Sequence, residues 1–252
     1  LVGSEMCIRD RPIDVDGAVH SKVIPLQDGG SLRIRGSVDR VDVLEQDGQQ
    51  FVRVVDYKSG AKAFRLADIV NGLNLQMFLY LFNVCADGSN PYAGVPAGVL
   101  YMHAARSVMT VETKRSAEKD IAGQEDKAFG MNGIVITNPD CDIPAAMEHD
   151  LAGKYIPVRL KKSGVGGSLA SLEQLGLLQR KIEALVADMG NALQNGQIGQ
   201  HPVQAKDHDK TCEYCDFASV CAFKKSVTPR TYDDQTDSAV LAELEKEGEN
   251  HA

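Results

Sequence analysis

Three side chains carry the first chemical signal: Asp39, Asp56 and Lys58, set in Gly36-Ser37-Val38-Asp39-Arg40-Val41-Asp42 and Val54-Val55-Asp56-Tyr57-Lys58-Ser59-Gly60. Asp56 and Lys58 stand two apart in a run of strand character, so an acid and an amine leave the same face of a sheet while Val54 and Val55 anchor the strand. Asp39 belongs to an earlier strand, and pairing the two strands through a turn at Asp47-Gly48 brings it beside Asp56. Two carboxylates a few Å apart repel unless a cation lies between them. Mg²⁺ (or Mn²⁺), which takes oxygen ligands and keeps waters for a phosphate substrate, is the usual solution. Such a site suits phosphodiester hydrolysis, with Lys58 facing the same phosphate. Taken alone, Asp-x-Lys on a strand reads more simply as a surface ion pair worth under about 1 kcal/mol.

Two further residues strengthen the chemical reading. Gln76 and Tyr80 are four apart, hence on one helix face, and both interrupt the apolar run of Leu75, Met77, Phe78, Leu79 and Leu81. Facing inward, Gln76 bonds the lysine or a phosphate, and Tyr80 offers its hydroxyl to a phosphate. The plain alternative is a helix-surface amide and a rim tyrosine.

Three of the six cysteines form a C-x2-C-x5-C triplet, Cys212, Cys215 and Cys221, while Cys7, Cys85 and Cys141 are scattered. Clustering favours a metal over disulfides. Zn²⁺ and a [4Fe–4S] cluster each want four ligands, so a fourth must come from elsewhere, and His201 or His208 could complete a zinc site.

These residues need a scaffold, and the composition allows one. A chain of 252 residues with 43% hydrophobic and 25% charged side chains excludes wholesale disorder and supports one sizeable core with satellites. The net charge of −8, from 27 Lys+Arg against 35 Asp+Glu, excludes an overall basic footprint for nucleic acid. DNA contacts must therefore be local: Arg33, Arg35 and Arg40; Lys58, Lys62 and Arg65; and Arg159, Lys161 and Lys162, all expected to flank the site. No apolar run approaches the ~18 residues of a membrane span, and with no secretory leader in view an intracellular location is expected.

The elements follow from periodicity. Short β runs at Val23–Leu26, Leu32–Asp42 and Phe51–Tyr57, separated by Gln27–Gly30 and Asp47-Gly48, predict an antiparallel meander. The spacing over Leu66–Val84 predicts one buried helix, and Ala97–His103 a core strand. Thr113–Lys127 is a polar excursion, Gly133–Thr137 and Ile156–Leu160 are short strands, and Lys161–Gly167 is a flexible basic loop. Leu169–Leu193 is the clearest amphipathic helix, and Tyr232–Ala252 an acidic, solvated helix or tail. Residues 1–11 read as a foreign leader, 12–205 as a core lacking its N-terminal part, 206–226 as a cysteine-rich segment and 227–252 as an acidic tail.

GSVDRVD, VVDYKSG and LQMFLY together resemble the RecB-like branch of the PD-(D/E)XK nucleases. The similarity is greater still to the C-terminal nuclease domains of the AddB family. It covers most of residues 30–225, including PAGVLYMH at 96–103, FGMNGIV at 129–135 and IPVRLKKSG at 156–164. The resemblance implies an α/β fold with a PD-(D/E)XK (restriction-endonuclease-like) core, a mixed central sheet flanked by helices and a C-terminal cysteine-rich staple. It makes Asp39, Asp56 and the carbonyl of Tyr57 metal ligands, Lys58 the catalytic lysine, and Gln76 and Tyr80 its accessory pair. It makes Cys212, Cys215 and Cys221 ligands of a [4Fe–4S] cluster whose fourth cysteine lies further upstream than Cys7. It also implies DNA as substrate, an AddA-type helicase-nuclease subunit as heterodimeric partner in double-strand break resection, and a bacterial, nucleoid-associated setting. RecB-like nucleases carry a further His or Glu on a helix before the first strand, whereas His20 is the only histidine before Asp39 and lies in an extended segment. Two competing readings are a stand-alone Cas4-like exonuclease and a non-catalytic iron–sulfur or zinc DNA-binding module; the retention of Asp39, Asp56 and Lys58 disfavours the second.

Overall fold

The computed structural model describes residues 7–9, 13–15, 19–60, 63–86, 88–104, 130–206, 212, 215–221 and 229–250. In chain order the elements begin with β1 (Cys7–Arg9), β2 (Ile13–Val15), β3 (Val23–Pro25), β4 (Ser31–Arg33), β5 (Gly36–Val38), β6 (Arg40–Gln46) and β7 (Gln49–Lys58). The helices α1 (Leu66–Val70) and α2 (Gln76–Ala86) follow, then β8 (Val95–His103), β9 (Met131–Thr137) and α3 (Ile143–Met147). Next come β10 (Val158–Lys161), β11 (Gly164–Gly167), β12 (Leu169–Ser171) and α4 (Leu172–Gln194). The last elements are β13 (Val203–Ala205), α5 (Ala218–Cys221), β14 (Arg230–Tyr232) and α6 (Asp237–Glu249). They divide into two compact units: one of 1–23, 33–64 and 76–176, the other of 24–32, 65–75 and 177–252.

The first unit holds a six-stranded sheet in the order β1-β6-β7-β8-β9-β12. It is mixed: β7/β8 and β9/β12 run parallel, the other neighbours antiparallel. The expected mixed sheet flanked by helices is present. Its centre is the β6–β7 hairpin, closed by Asp47 and Gly48 at φ 53° and 77°, a two-residue loop with both positions in the left-handed region. Cys7–Arg9, within the stretch read as foreign, pairs with β6 through main-chain bonds that ask little of the side chains.

Strand alternation gives this sheet two faces. One carries Leu44, Phe51, Val55, Leu100 and Val135, sealed by Ile143, Leu151, Ile156 and Val158 into the main core. The other carries Val54, Asp56 and Lys58 of β7, with Val99, Tyr101 and His103 beside them on β8 in register. Helix α2 packs on this second face: Phe78 lies 6.2 Å from Phe64, and Phe64 6.3 Å from Tyr101, between ring centroids. The loop after α3 is pinned by Glu148, which is buried and accepts main-chain N–H bonds from Lys154, Tyr155 and Ile156 at 2.9–3.1 Å.

Several expectations are corrected. The single strand over Leu32–Asp42 is three short strands, β4, β5 and β6. The single helix over 66–84 is two, because Gly72 and Asn74 take φ 90° and 56° and break the α path between Val70 and Gln76. The basic loop at 161–167 is ordered as the β10–β11 hairpin. Helix α4 starts after β12, with Ser171 and Gln174 exchanging N–H bonds at 3.1 and 2.8 Å as a capping box.

In the second unit, the acidic C-terminal stretch is not fully solvated. It pairs β14 with β13 and forms α6, which buries Val240, Leu241 and Leu244 on one stripe. The buried Asp68 is this unit's polar hub, accepting from Tyr232 Oη at 2.6 Å, Asn74 Nδ2 at 3.1 Å and Arg65 Nη2 at 3.2 Å. Burial and the bond to Asp68 raise the Tyr232 pKa, so the phenol stays protonated. The polar excursion at 113–127, Lys62 and His208 lie outside the described residues. Among the described residues no helix is long and apolar enough to cross a membrane.

Candidate active site

Asp39 occupies the single residue between β5 and β6, and the β6/β7 register, with Arg40 opposite Val55, sets it across from Asp56. Its Oδ2 accepts the Tyr57 main-chain N–H at 3.0 Å. The side chain is thereby fixed at the C-terminal end of β7, against the peptide that follows Asp56. Asp56 is buried at 6% exposure, and Lys58 Nζ stands 2.5 Å from its Oδ2. That approach lacks hydrogen-bond geometry, so Asp56 Oδ2 is a buried oxygen with no hydrogen bond. The Lys58 ammonium also lies 5.8 Å from the Tyr101 ring centroid. Asp39, Asp56 and Lys58 therefore meet at one end of the sheet, on the face that α2 covers.

Gln76 and Tyr80 bond each other, Gln76 Nε2 donating to Tyr80 Oη at 3.1 Å. The buried Tyr80 hydroxyl packs against Gly36, where a Cβ would collide with it. Only glycine there lets the tyrosine reach the strand that leads into Asp39. Tyr80 thus touches the strand before the first carboxylate, while Gln76 is exposed and holds the Tyr80 hydroxyl. Tyr57 is partly exposed, and its hydroxyl accepts from Arg40 Nη1 at 3.5 Å. Tyr101 and His103 join the site's face, opposite Asp56 and Lys58 on β8. By its apolar run AGVLYMH is a core strand, and both residues lie on it. The available signal was its alternation, which puts Val99, Tyr101 and His103 on the face opposite to Leu100 and Met102.

Beneath this site, on the core face, a second charged group corrects another expectation. Asp42, 1% exposed, accepts from Arg40 Nε at 2.7 Å, Arg40 Nη2 at 3.1 Å and Arg53 Nε at 2.7 Å. Burial works against the Arg40 charge, but the bonds to Asp42 and Tyr57 outweigh it and raise its pKa. Arg40 is therefore a structural partner of Asp42 and not an open DNA contact. Arg65 is likewise paired with Asp68 and Asp234. Arg159, Lys161 and Lys162 do not flank the site, since β10 is rooted through Val158 in the core on the opposite face.

The carboxylate pair fits a divalent cation. A buried carboxylate beside a second one with an oxygen committed to an amide is an oxygen donor set of the kind a divalent cation takes, and the Lys58 ammonium on Asp56 Oδ2 shows that the position favours positive charge. Asp39 and Asp56 would hold it; of Tyr57, whose carbonyl the resemblance makes a ligand, the main-chain N–H is what faces Asp39. When bound, it supplies activation of water and neutralisation of phosphate charge.

The cysteine expectation fares differently. Cys215 N–H bonds the Cys212 carbonyl at 3.4 Å in a turn, and α5 carries Cys221, so the local path is as spacing suggests. Yet among the described residues no three His, Cys, Asp or Glu side chains are placed to hold a metal ion, and Cys215 is exposed. The four-residue helix Ala218–Cys221 carries only one of the three sulfurs, so it does not by itself bring them to one point. As they stand, they do not fit a [4Fe–4S] cluster.

A mixed sheet with two carboxylates and a lysine at the end of its central hairpin defines a nuclease class. The chain belongs to the PD-(D/E)XK nuclease superfamily, whose family model matches residues 5–222. Among curated proteins it is similar to the B-type subunit of the ATP-dependent helicase/deoxyribonuclease of Oceanobacillus iheyensis, 32% identical over 250 residues, covering 94% of this chain and 21% of that protein. The proteins of the same name from Alkaliphilus oremlandii and Ruminiclostridium cellulolyticum are 28% and 32% identical, over 94% and 83% of this chain and 21% and 18% of theirs. The chain spans about a fifth of the length of the curated relatives it matches.

Proposed function

We propose that this chain is the Mg²⁺-dependent DNA exonuclease domain of an AddB-type helicase-nuclease subunit, working with an AddA-type partner in double-strand break resection in the bacterial cytoplasm. The observation that carries the proposal is the convergence of Asp39, Asp56 and Lys58 at one end of β7, in a member of a nuclease superfamily. The relatives' name, which joins helicase and deoxyribonuclease, supports the DNA substrate and the helicase context. Residues 12–205 form the nuclease core in this reading, 206–226 the cysteine-rich segment and 227–252 the acidic end.

The geometry supports the following roles. Asp39, oriented by the Tyr57 amide, and Asp56 hold the cation. Lys58, held between the Asp56 carboxylate and the Tyr101 ring, presents its ammonium to the charge that develops on the phosphate. Tyr80 buttresses the strand that enters Asp39, and Gln76 orients its hydroxyl. Cys212, Cys215 and Cys221 serve as [4Fe–4S] ligands that gather only when the cluster and a fourth ligand from outside 212–221 are present; the C-x2-C-x5-C spacing supports this.

An end-labelled linear DNA and a covalently closed circle, each incubated with the protein and Mg²⁺, test the exonuclease reading. The linear DNA is degraded, the circle is spared, and a chelator stops the reaction. Equal attack on the circle, or degradation in the chelator, would contradict it.

A further inference from the structure

The β10–β11 hairpin is two-faced. Along β10, Val158 and Leu160 point one way, Arg159 and Lys161 the other. Val158 is buried in the core, whereas Leu160 and its cross-strand partner Val165 carry the same face outward and are 63% and 44% exposed. On the cationic face Arg159 stands opposite Gly166 and Lys161 opposite Gly164, so the partner strand offers no side chain there. A Cβ at Gly164 would meet nothing within 4 Å. Lys162 lies in the turn, and all three cations are exposed.

The surroundings make these charges unusual. Residues 151–168 contain Lys154, Arg159, Lys161 and Lys162 and no acid, in a chain of net charge −8. Among the described residues, Arg159, Lys161 and Lys162 form no side-chain hydrogen bond and no ion pair, although acids outnumber bases in the chain 35 to 27. Three uncompensated cations over a glycine-lined strand present a smooth positive surface, and an exposed aliphatic pair lies on the hairpin's other side. Phosphates match the first feature.

We propose that this hairpin is a DNA-binding surface separate from the active site, on the opposite side of the central sheet, holding a single strand through its phosphates and sequence-blind. The inference rests on the nuclease reading for its substrate. The site itself keeps few open cations, since Arg40 is committed to Asp42 and Arg53 is buried against it. A strand engaged at the hairpin raises the local concentration of phosphodiester at the site without altering the chemical step.

The test compares wild type with Arg159→Ser/Lys161→Ser/Lys162→Ser, exposed substitutions that leave the core intact. Binding of a labelled single strand of about 30 nucleotides, roughly twice what one binding fold of this size covers, is followed by fluorescence anisotropy across a salt series. Mg²⁺ is chelated, so that binding is read whether or not the chain hydrolyses DNA. The slope of log affinity against log salt should fall by about 2, three contacts at roughly 0.7 each, with affinity reduced at least tenfold in low salt. With Mg²⁺ restored, KM for the long strand should rise while hydrolysis of bis-p-nitrophenyl phosphate, which reaches only the active site, is unchanged. An unchanged slope and affinity would overturn the proposal. So would an equal loss on the small ester, or polyglutamate displacing the strand as well as DNA does, which would make the hairpin a site for acidic protein.

Discussion

Replacing Lys58 by alanine is expected to slow Mg²⁺-dependent DNA cleavage by about 10³-fold, the cost of removing one group aimed at developing charge in an enclosed site. Its ammonium is placed for that role by the Asp56 carboxylate at 2.5 Å and the Tyr101 ring at 5.8 Å. Asp56→Ala should do the same for a different reason, because it removes the buried oxygen that lacks a hydrogen bond. DNA affinity should change less than about threefold in either variant, since one phosphate contact contributes little to a multi-contact strand. Single-turnover cleavage and anisotropy, measured on the same preparations, separate the two effects. Either variant cleaving at the wild-type rate would remove that residue from the reaction.

The largest expected effect on stability lies one layer away. Asp42→Ala should cost about 3–5 kcal/mol, because it strands Arg40 and Arg53 without their carboxylate in the sheet interior. Arg53 stands directly opposite Asp42 in the β6/β7 register, and Arg40 is the residue after Asp39. The triad therefore locks the pairing that carries Asp39 to Asp56. Urea unfolding monitored by circular dichroism reads the loss. Replacing Arg40, Asp42 and Arg53 together by apolar residues of similar volume should recover most of it, since no buried charge is then left unpaired. If Asp42→Ala unfolds at the wild-type midpoint, the triad does not hold the register.

How much of this was legible in the sequence depends on how local the cause is. The Asp47-Gly48 hairpin was legible because a two-residue loop with this dipeptide leaves one favoured turn, and that turn fixes the register which sets Asp39 opposite Asp56. The same-face placement of Asp56 and Lys58 followed from strand alternation. Non-local causes were not legible. The break between α1 and α2 depends on left-handed Gly72 and Asn74, yet the apolar spacing runs through them uninterrupted. Arg40 looked like a DNA contact until Asp42 and Arg53 proved to be its neighbours. Gln76, expected on the lysine or a phosphate, bonds the Tyr80 hydroxyl instead, for which Gly36 leaves room. The cysteines illustrate the reverse limit: their spacing announces a ligand set, but spacing alone does not bring three sulfurs to one point among the described residues.

The central claim is that Asp39 and Asp56 together hold the divalent cation on which phosphodiester cleavage depends. Its most direct measurement is Mn²⁺ binding to the DNA-free protein, followed by the electron paramagnetic resonance signal of the unbound ion. Wild type and Lys58→Ala should both take up Mn²⁺, and Asp39→Asn and Asp56→Asn should each weaken uptake at least tenfold while remaining folded. Mn²⁺ uptake that is unchanged when both aspartates are replaced would contradict the account.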